Sequence, residues 1–245
     1  KFNPNILCIG YQHAPIIEFQ HASQRNLVKL YNPNVVLTAG KISEKCFKDV
    51  SKLADIIIKC LGSAKSQHFK FKNKSPSYSC LVIPEGILSE CLILFEFSLL
   101  CARNMPKYKF IWRLHPLLSF KELKRRSDIF NKLPDNVFLS EQTLDFDVQS
   151  CDSVLYRGST AVINAINGGL KPIYYNLDNE MSIDPIYQHS VGKHIVNCFS
   201  EFEKSIIDPL SKEEKLALIN FSQDLYSPLD YSVFIKLLKK RYNFH

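Results

Sequence analysis

Short apolar runs alternate along the chain with stretches whose apolar positions return every three or four residues, the signature of strands followed by amphipathic helices. The pattern predicts strands at 6–11, 34–40 and 55–60, with a helix from 42 to about 53. It continues with strand 79–84, helix 87–103, strand 108–114, helix 119–132, strand 136–140, helix 143–150, strand 152–157, helix 159–167 and strand 171–176. A short strand near 194–196 and helices near 200–207, 211–225 and 230–241 complete it. Regular strand-helix alternation predicts an α/β chain with a Rossmann-type parallel sheet, right-handed crossovers and helices on both faces. Helix 87–103 is apolar almost all round, which predicts burial. The three early strands are too few to close such a domain, so the N-terminal domain is read as partial. Residues 62–78 are polar and lysine-rich, as linkers are. The expected organisation is therefore 1–74, the end of an N-terminal α/β domain plus linker; 75–228, a nucleotide-sugar-binding Rossmann-like domain; and 229–245, a terminal helix.

Composition narrows the class. With 46% hydrophobic and 22% charged residues in 245, the chain is expected to be an ordinary soluble protein. Its longest apolar runs, such as 91–95, and the stretch 54–58, broken by Asp55, fall well short of the roughly 20 residues that span a bilayer, and the start carries no signal-peptide pattern. The eight cysteines form no Cys-x-x-Cys pair. That argues against a zinc site or disulfide framework and for thiols in a reducing compartment, hence a cytoplasmic location. The formal charge of +7 gathers in 121–126 and 236–242, at the spacing of solvated helix faces. No nucleic-acid module accompanies it. The tail, with aromatics beside its lysines, could rest on an anionic membrane surface as a peripheral contact.

Candidate chemistry lies at two strand ends. Ser153 to Tyr175 reads as strand, Gly158-Ser159-Thr160 turn, helix, Gly168-Gly169 stop and second strand. Hydroxyls and free backbone N–H groups at such a turn suit a phosphate, although Ser159 could equally be a simple helix cap. Lys109 to Pro116 is a strand ending in His115-Pro116, where the proline turns the chain out of the sheet. In a parallel sheet both ends lie on one edge, where ligands bind.

The succession Pro84-Glu85-Gly86, Arg113-Leu114-His115-Pro116 and Arg157-Gly158-Ser159-Thr160 resembles the C-terminal half of GT-B glycosyltransferases. More narrowly it is similar to bacterial sialyltransferase and surface-carbohydrate biosynthesis families, over roughly residues 80–190. Pro84 stands where those families usually carry a first acid. The resemblance implies a GT-B-like fold and transfer of a sugar from a nucleotide-activated donor, CMP-nonulosonate or CMP-Kdo-like, to a capsular or lipopolysaccharide glycan or a lipid-linked glycan acceptor. It implies no metal and no cofactor beyond the donor. On this reading Arg113, His115, Arg157, Gly158, Ser159 and Thr160 form the phosphate pole and Glu180 contacts ribose or donor sugar. Glu85 is the base that activates the acceptor, with His13 as its rival. Open alternatives are an acidic helix cap for Glu85, a local loop role for His13, a plain salt bridge for Arg113, and solvated-loop roles for Glu180 and Asp184. At the level of the whole chain they are a UDP-sugar 2-epimerase-like enzyme and a non-catalytic partner domain of a capsule-assembly complex.

Overall fold

A computed structural model describes residues 6–20, 22, 25, 31–50, 53, 56–66 and 77–242. Most of the expected linker and the boundary near residue 75 lie outside the described residues, as do the side chains of Lys240, Arg241 and Tyr242 in the basic tail. The chain divides into two compact units, one made of 1–68 with 221–245 and the other of 69–220.

The first unit holds a parallel three-stranded sheet, β1 (Ile9–Gln12), β2 (Val35–Thr38) and β3 (Ile57–Cys60), with β2 in the middle. Helix α1 (Lys41–Val50) packs on β2 and β3. Ile16, Val36, Phe47, Leu53 and Ile58 form its core. Central β2 is buried along its whole length, as a strand flanked by two neighbours should be.

The second unit begins with β4 (Ser79–Pro84), α2 (Leu88–Asn104), β5 (Lys109–Trp112), α3 (Phe120–Arg126) and a 3₁₀ turn at Asp128–Phe130. It continues with β6 (Val137–Leu139), α4 (Leu144–Ser150), β7 (Ser153–Arg157), α5 (Val162–Asn167), β8 (Lys171–Tyr175), β9 (His194–Val196) and α6 (Phe199–Ile207). The start of α7 (Lys212–Leu225) belongs here too, and its end belongs to the first unit with α8 (Tyr231–Tyr242). All strand pairs are parallel, in the order β6-β5-β4-β7-β8-β9. Counted within the unit this is 3-2-1-4-5-6, the doubly wound Rossmann order, which reverses between β4 and β7.

Every residue of β4 and of β7 is buried, which requires a helix layer on each face of the sheet. On one side α2 packs with α6; on the other α4 packs with α5. Helix α2 buries Cys91, Leu94, Phe95, Phe97 and Leu99. Phe95 stacks on Trp112 with ring centroids 4.2 Å apart, while the indole N–H donates to Ser98 Oγ at 2.9 Å. This pairing holds the end of β5 against α2. Of the cysteines, all free, Cys80, Cys91, Cys101 and Cys151 are buried. No helix among the described residues is long and apolar enough to cross a membrane.

Candidate functional site

The site lies where the strand order reverses. Strand β4 ends at Pro84 and delivers Glu85-Gly86; β7 ends at Arg157 and delivers Gly158; β5 ends at Trp112, three residues before His115. Gly158 has φ +71°, and a Cβ built on it would lie 2.8 Å from Glu85 Oε2. A Cβ on Gly86 would lie 3.0 Å from Cε1 and Nδ1 of His115. The three motif segments therefore meet: the Glu85 carboxyl lies over Gly158 and the His115 ring over Gly86. A side chain at either position would push on its neighbour, and at Gly158 only glycine takes the left-handed backbone without strain.

His115 is half-buried, and its Nδ1 accepts from the Leu117 N–H at 3.3 Å. A neutral ring held this way carries its proton on Nε2, which makes Nε2 a donor. Glu85 is also half-buried. Burial, and then the charge of Glu90, raise its pKa above the ordinary carboxylate value, with Arg157 opposing. A carboxylate so raised is a better proton acceptor than one in water.

Arg157 has a different setting from a free phosphate ligand. Its side chain is 1% exposed, its Nε donates to Glu90 Oε2 at 2.5 Å and its Nη2 to Glu180, with a longer bond of 3.4 Å from Nη1 to Tyr175 O. Burial pulls its pKa down, but the hydrogen bond and charge of Glu90, with Tyr174 and Glu180 adding to them, outweigh that. Glu180 itself is taken up by this pair, on a loop where Asn179 has φ +68°. Arg113 is likewise engaged: Nη1 donates to Asp147 Oδ2 at 2.9 Å and to Gln142 O at 2.5 Å. It forms the salt bridge left open as its alternative. Asp184 is buried and accepts from the Tyr156 hydroxyl at 2.9 Å, the Ile186 N–H at 2.9 Å and Lys193 Nζ at 2.7 Å. It closes its loop rather than facing solvent.

The expectation that Ser159 opens the helix is corrected. Helix α5 begins at Val162, and no side chain caps it. Ser159 is buried and Thr160 half-buried, in a turn where Ser159 O and Thr160 O accept from the N–H groups of Val162 and Ile163. Both still directly follow Gly158. His13 lies just after β1 in the first unit, exposed. The structure thus brings together Glu85, Gly86, His115, Arg157, Gly158 and Glu180, and ties Arg113 to α4.

Sequence reasoning passed over Glu90 and Asp147. Glu90 sits half-buried in the first turn of α2, whose other acid, Glu96, is exposed; an acid on the covered side of a largely apolar helix is the signal that could have found it. Asp147, 3% exposed in its side chain, gives no such signal within a short polar helix. Elsewhere, an open groove of about 590 Å³ lined by Lys107, Lys109, Pro134, Asn136 and Phe138 lies at the amino-terminal ends of β5 and β6, the opposite end of those strands from the candidate residues. Among the described residues no group of three or more His, Cys, Asp or Glu is placed to hold a metal ion.

By sequence the chain matches no family model and no curated protein. By structure it is similar to the GtfA/B complex (TM-score 0.61, 11% identity, covering 96% of this chain and 53% of that one). It is also similar to a glycotransferase of kitacinnamycin (TM-score 0.54, 12% identity, 86% and 56%) and to CalG4, the calicheamicin glycosyltransferase (TM-score 0.54, 12% identity, 86% and 53%). The fold is GT-B-like, parallel sheets flanked by helices. The chain spans about half the length of the structures it matches.

Proposed function

We propose that the chain transfers a sugar from a nucleotide-activated donor to a glycan acceptor at the carboxyl ends of β4, β5 and β7. The observation that carries this is the convergence of Glu85, His115 and Gly158 at the reversal of the sheet, the place where doubly wound sheets hold nucleotides. In the reaction the acceptor hydroxyl oxygen attacks the anomeric carbon, its proton passes to the Glu85 carboxylate, and the bond from that carbon to the phosphate oxygen breaks. Nε2–H of His115 and the hydroxyls of Ser159 and Thr160 then stabilise the charge gathering on the departing phosphate. Arg157 and Glu180 hold the frame rather than the phosphate.

Within this reading we favour a CMP-linked donor, a nonulosonate or Kdo-like sugar. The two arginines at these strand ends are both spent on carboxylates, leaving an imidazole and hydroxyls as donors. Such a set suits the single phosphate of a departing CMP better than the larger charge of a diphosphate. The acceptor is a surface glycan in this proposal.

Calorimetric titration of CMP, UDP and GDP against the wild-type chain and His115→Ala tests it. CMP should bind best, and His115→Ala should weaken it roughly 10- to 100-fold, the worth of one hydrogen bond to a charged group. Absence of binding by every nucleotide to the wild type overturns the reading. Tighter UDP binding, with conversion of a UDP-sugar in the absence of acceptor, would favour the epimerase instead.

A further inference from the structure

Two carboxylates hold one guanidinium at the end of β7, and a third, Glu85, feels its charge. Glu90 from α2 takes Nε of Arg157, and Glu180 from the loop after β8 takes Nη2. Glu85, whose carboxyl lies over the very next residue, Gly158, receives no hydrogen bond from that arginine among the described contacts. The Glu180 side chain is 48% exposed while Arg157 is 1% exposed, so Glu180 closes the outer side of a cation whose inner side Glu90 already holds. The charged and titratable groups facing Glu85 are then few: Glu90 on α2, the Cys91 thiol that donates to Glu85 O at 3.2 Å, and Arg157 on β7. The His115 ring faces the neighbouring Gly86.

We propose that Glu180 is a positioning residue: by occupying Nη2 of Arg157 it keeps the guanidinium off Glu85 and leaves the Glu85 carboxyl free to take a proton from a ligand hydroxyl. The assignment rests on reading Glu85 as the proton acceptor of the proposed transfer. Without Glu180, the guanidinium has a free N–H pair and one uncommitted carboxylate within its surroundings. A direct Arg157–Glu85 pair would form, and an opposite charge at that range holds a carboxyl ionised to lower pH and weakens it as a base.

The test is a pH titration of the Glu85 side-chain carboxyl by ¹³C NMR, its signal assigned by loss in Glu85→Gln. In Glu180→Ala, which removes the acceptor of Nη2, the midpoint should fall by about one pH unit or more, the effect of a cation brought beside a carboxylate. Asp178→Asn removes a charge from the same loop without touching Arg157 and should leave the midpoint in place. Glu180→Asp, which keeps the charge on a shorter arm, should give an intermediate fall. A purely structural Glu180 would lower the urea midpoint and leave the Glu85 titration where it was. An unmoved midpoint in a folded Glu180→Ala protein overturns the proposal, as does an equal fall in Asp178→Asn. CMP titration of the same samples is read separately. Failure of CMP to bind overturns the transferase reading whether or not the Glu85 midpoint moves, and an unmoved midpoint overturns the role of Glu180 whether or not CMP binds.

Discussion

Glu85 holds its proton more tightly in the folded chain than in the unfolded one, because burial and Glu90 disfavour its charge more than Arg157 favours it. Between the ordinary carboxylate pKa and the raised folded value, the folded state binds more protons. The stability this contributes is complete at acid pH, below the unfolded pKa, and is lost as pH rises through the folded pKa. Glu85→Gln keeps the shape and removes the titration. The variant should therefore match the wild type in urea stability near pH 4 and exceed it at pH 7.5, while losing the proposed transfer activity. A stability difference of the same size at both pH values would contradict the raised pKa. Gly158 meets two demands at once, a φ of +71° and a carboxylate 2.8 Å from where a Cβ would stand. Gly158→Ala should cost roughly 1–3 kcal/mol in urea denaturation, from left-handed strain, and should displace Glu85. An alanine variant with unchanged stability and unchanged nucleotide affinity would show that the turn tolerates a side chain.

The elements were largely legible in the sequence because burial wrote them there. The six residues of β4 and five of β7 are covered on both faces and carry apolar runs at 80–84 and 154–156, and α2 is largely apolar because it buries one broad side, leaving Ser89, Glu96, Leu100 and Arg103 exposed. The start of α5 was not legible. The left-handed Gly158 and three further residues, Ser159 to Ala161, intervene after β7, so the helix begins three positions later than the Ser159 that a capping rule selects. The motif positions could be found one by one, but the partners of Arg157 and Arg113 could not. Glu90, Glu180 and Asp147 come from other elements, and no periodicity links an arginine to the acid that neutralises it. Lys171 shows the same cross-element logic. It opens β8, lies buried, and its ammonium donates to the backbone oxygens of Ser205 and Asp208 at the C-terminal end of α6. Those carbonyls have no partner within their own helix, and a cation there also meets the negative end of the helix dipole. Lys171→Met should strand them at a cost of about 1–3 kcal/mol, with faster amide exchange in the last turn of α6. Unaltered exchange there would mean that water replaces the ammonium without loss.

At the scale of the whole molecule, the last stretch of chain completes the unit that the first stretch begins. Ser227 N–H donates to Ala39 O at 3.0 Å, Ser63 N–H to Ser227 O at 2.9 Å and Asp230 N–H to Leu61 O at 2.8 Å. These bonds join the residues just past β2 and β3 to the chain just past α7. Their side-chain trace is confined to two glycines: a Cβ on Gly40 would lie 2.2 Å from the carbonyl oxygens of Asp224 and Leu225, and one on Gly62, at φ +87°, 2.0 Å from Pro228 O. Backbone-to-backbone bonds carry no residue signature, so the closure is invisible to hydrophobic patterning. It has a mechanical consequence. A chain ending at Leu225 loses all three bonds, together with the buried Tyr226 and Ser227, and leaves the carbonyls of Ala39 and Leu61 and the Ser63 N–H to water. Amides of β1 to β3 should then exchange faster while those of β4, β5, β7 and β8 keep their protection, because the core under α2 and α6 includes nothing beyond residue 206. Gly62→Ala, which leaves the chain whole but blocks the approach of Pro228, should reproduce the loss in the first unit alone. Uniform loss of protection across both sheets would show that the two units fold as one. Unchanged protection of β1 to β3 in the truncated chain would show that the returning segment only decorates a sheet that stands without it.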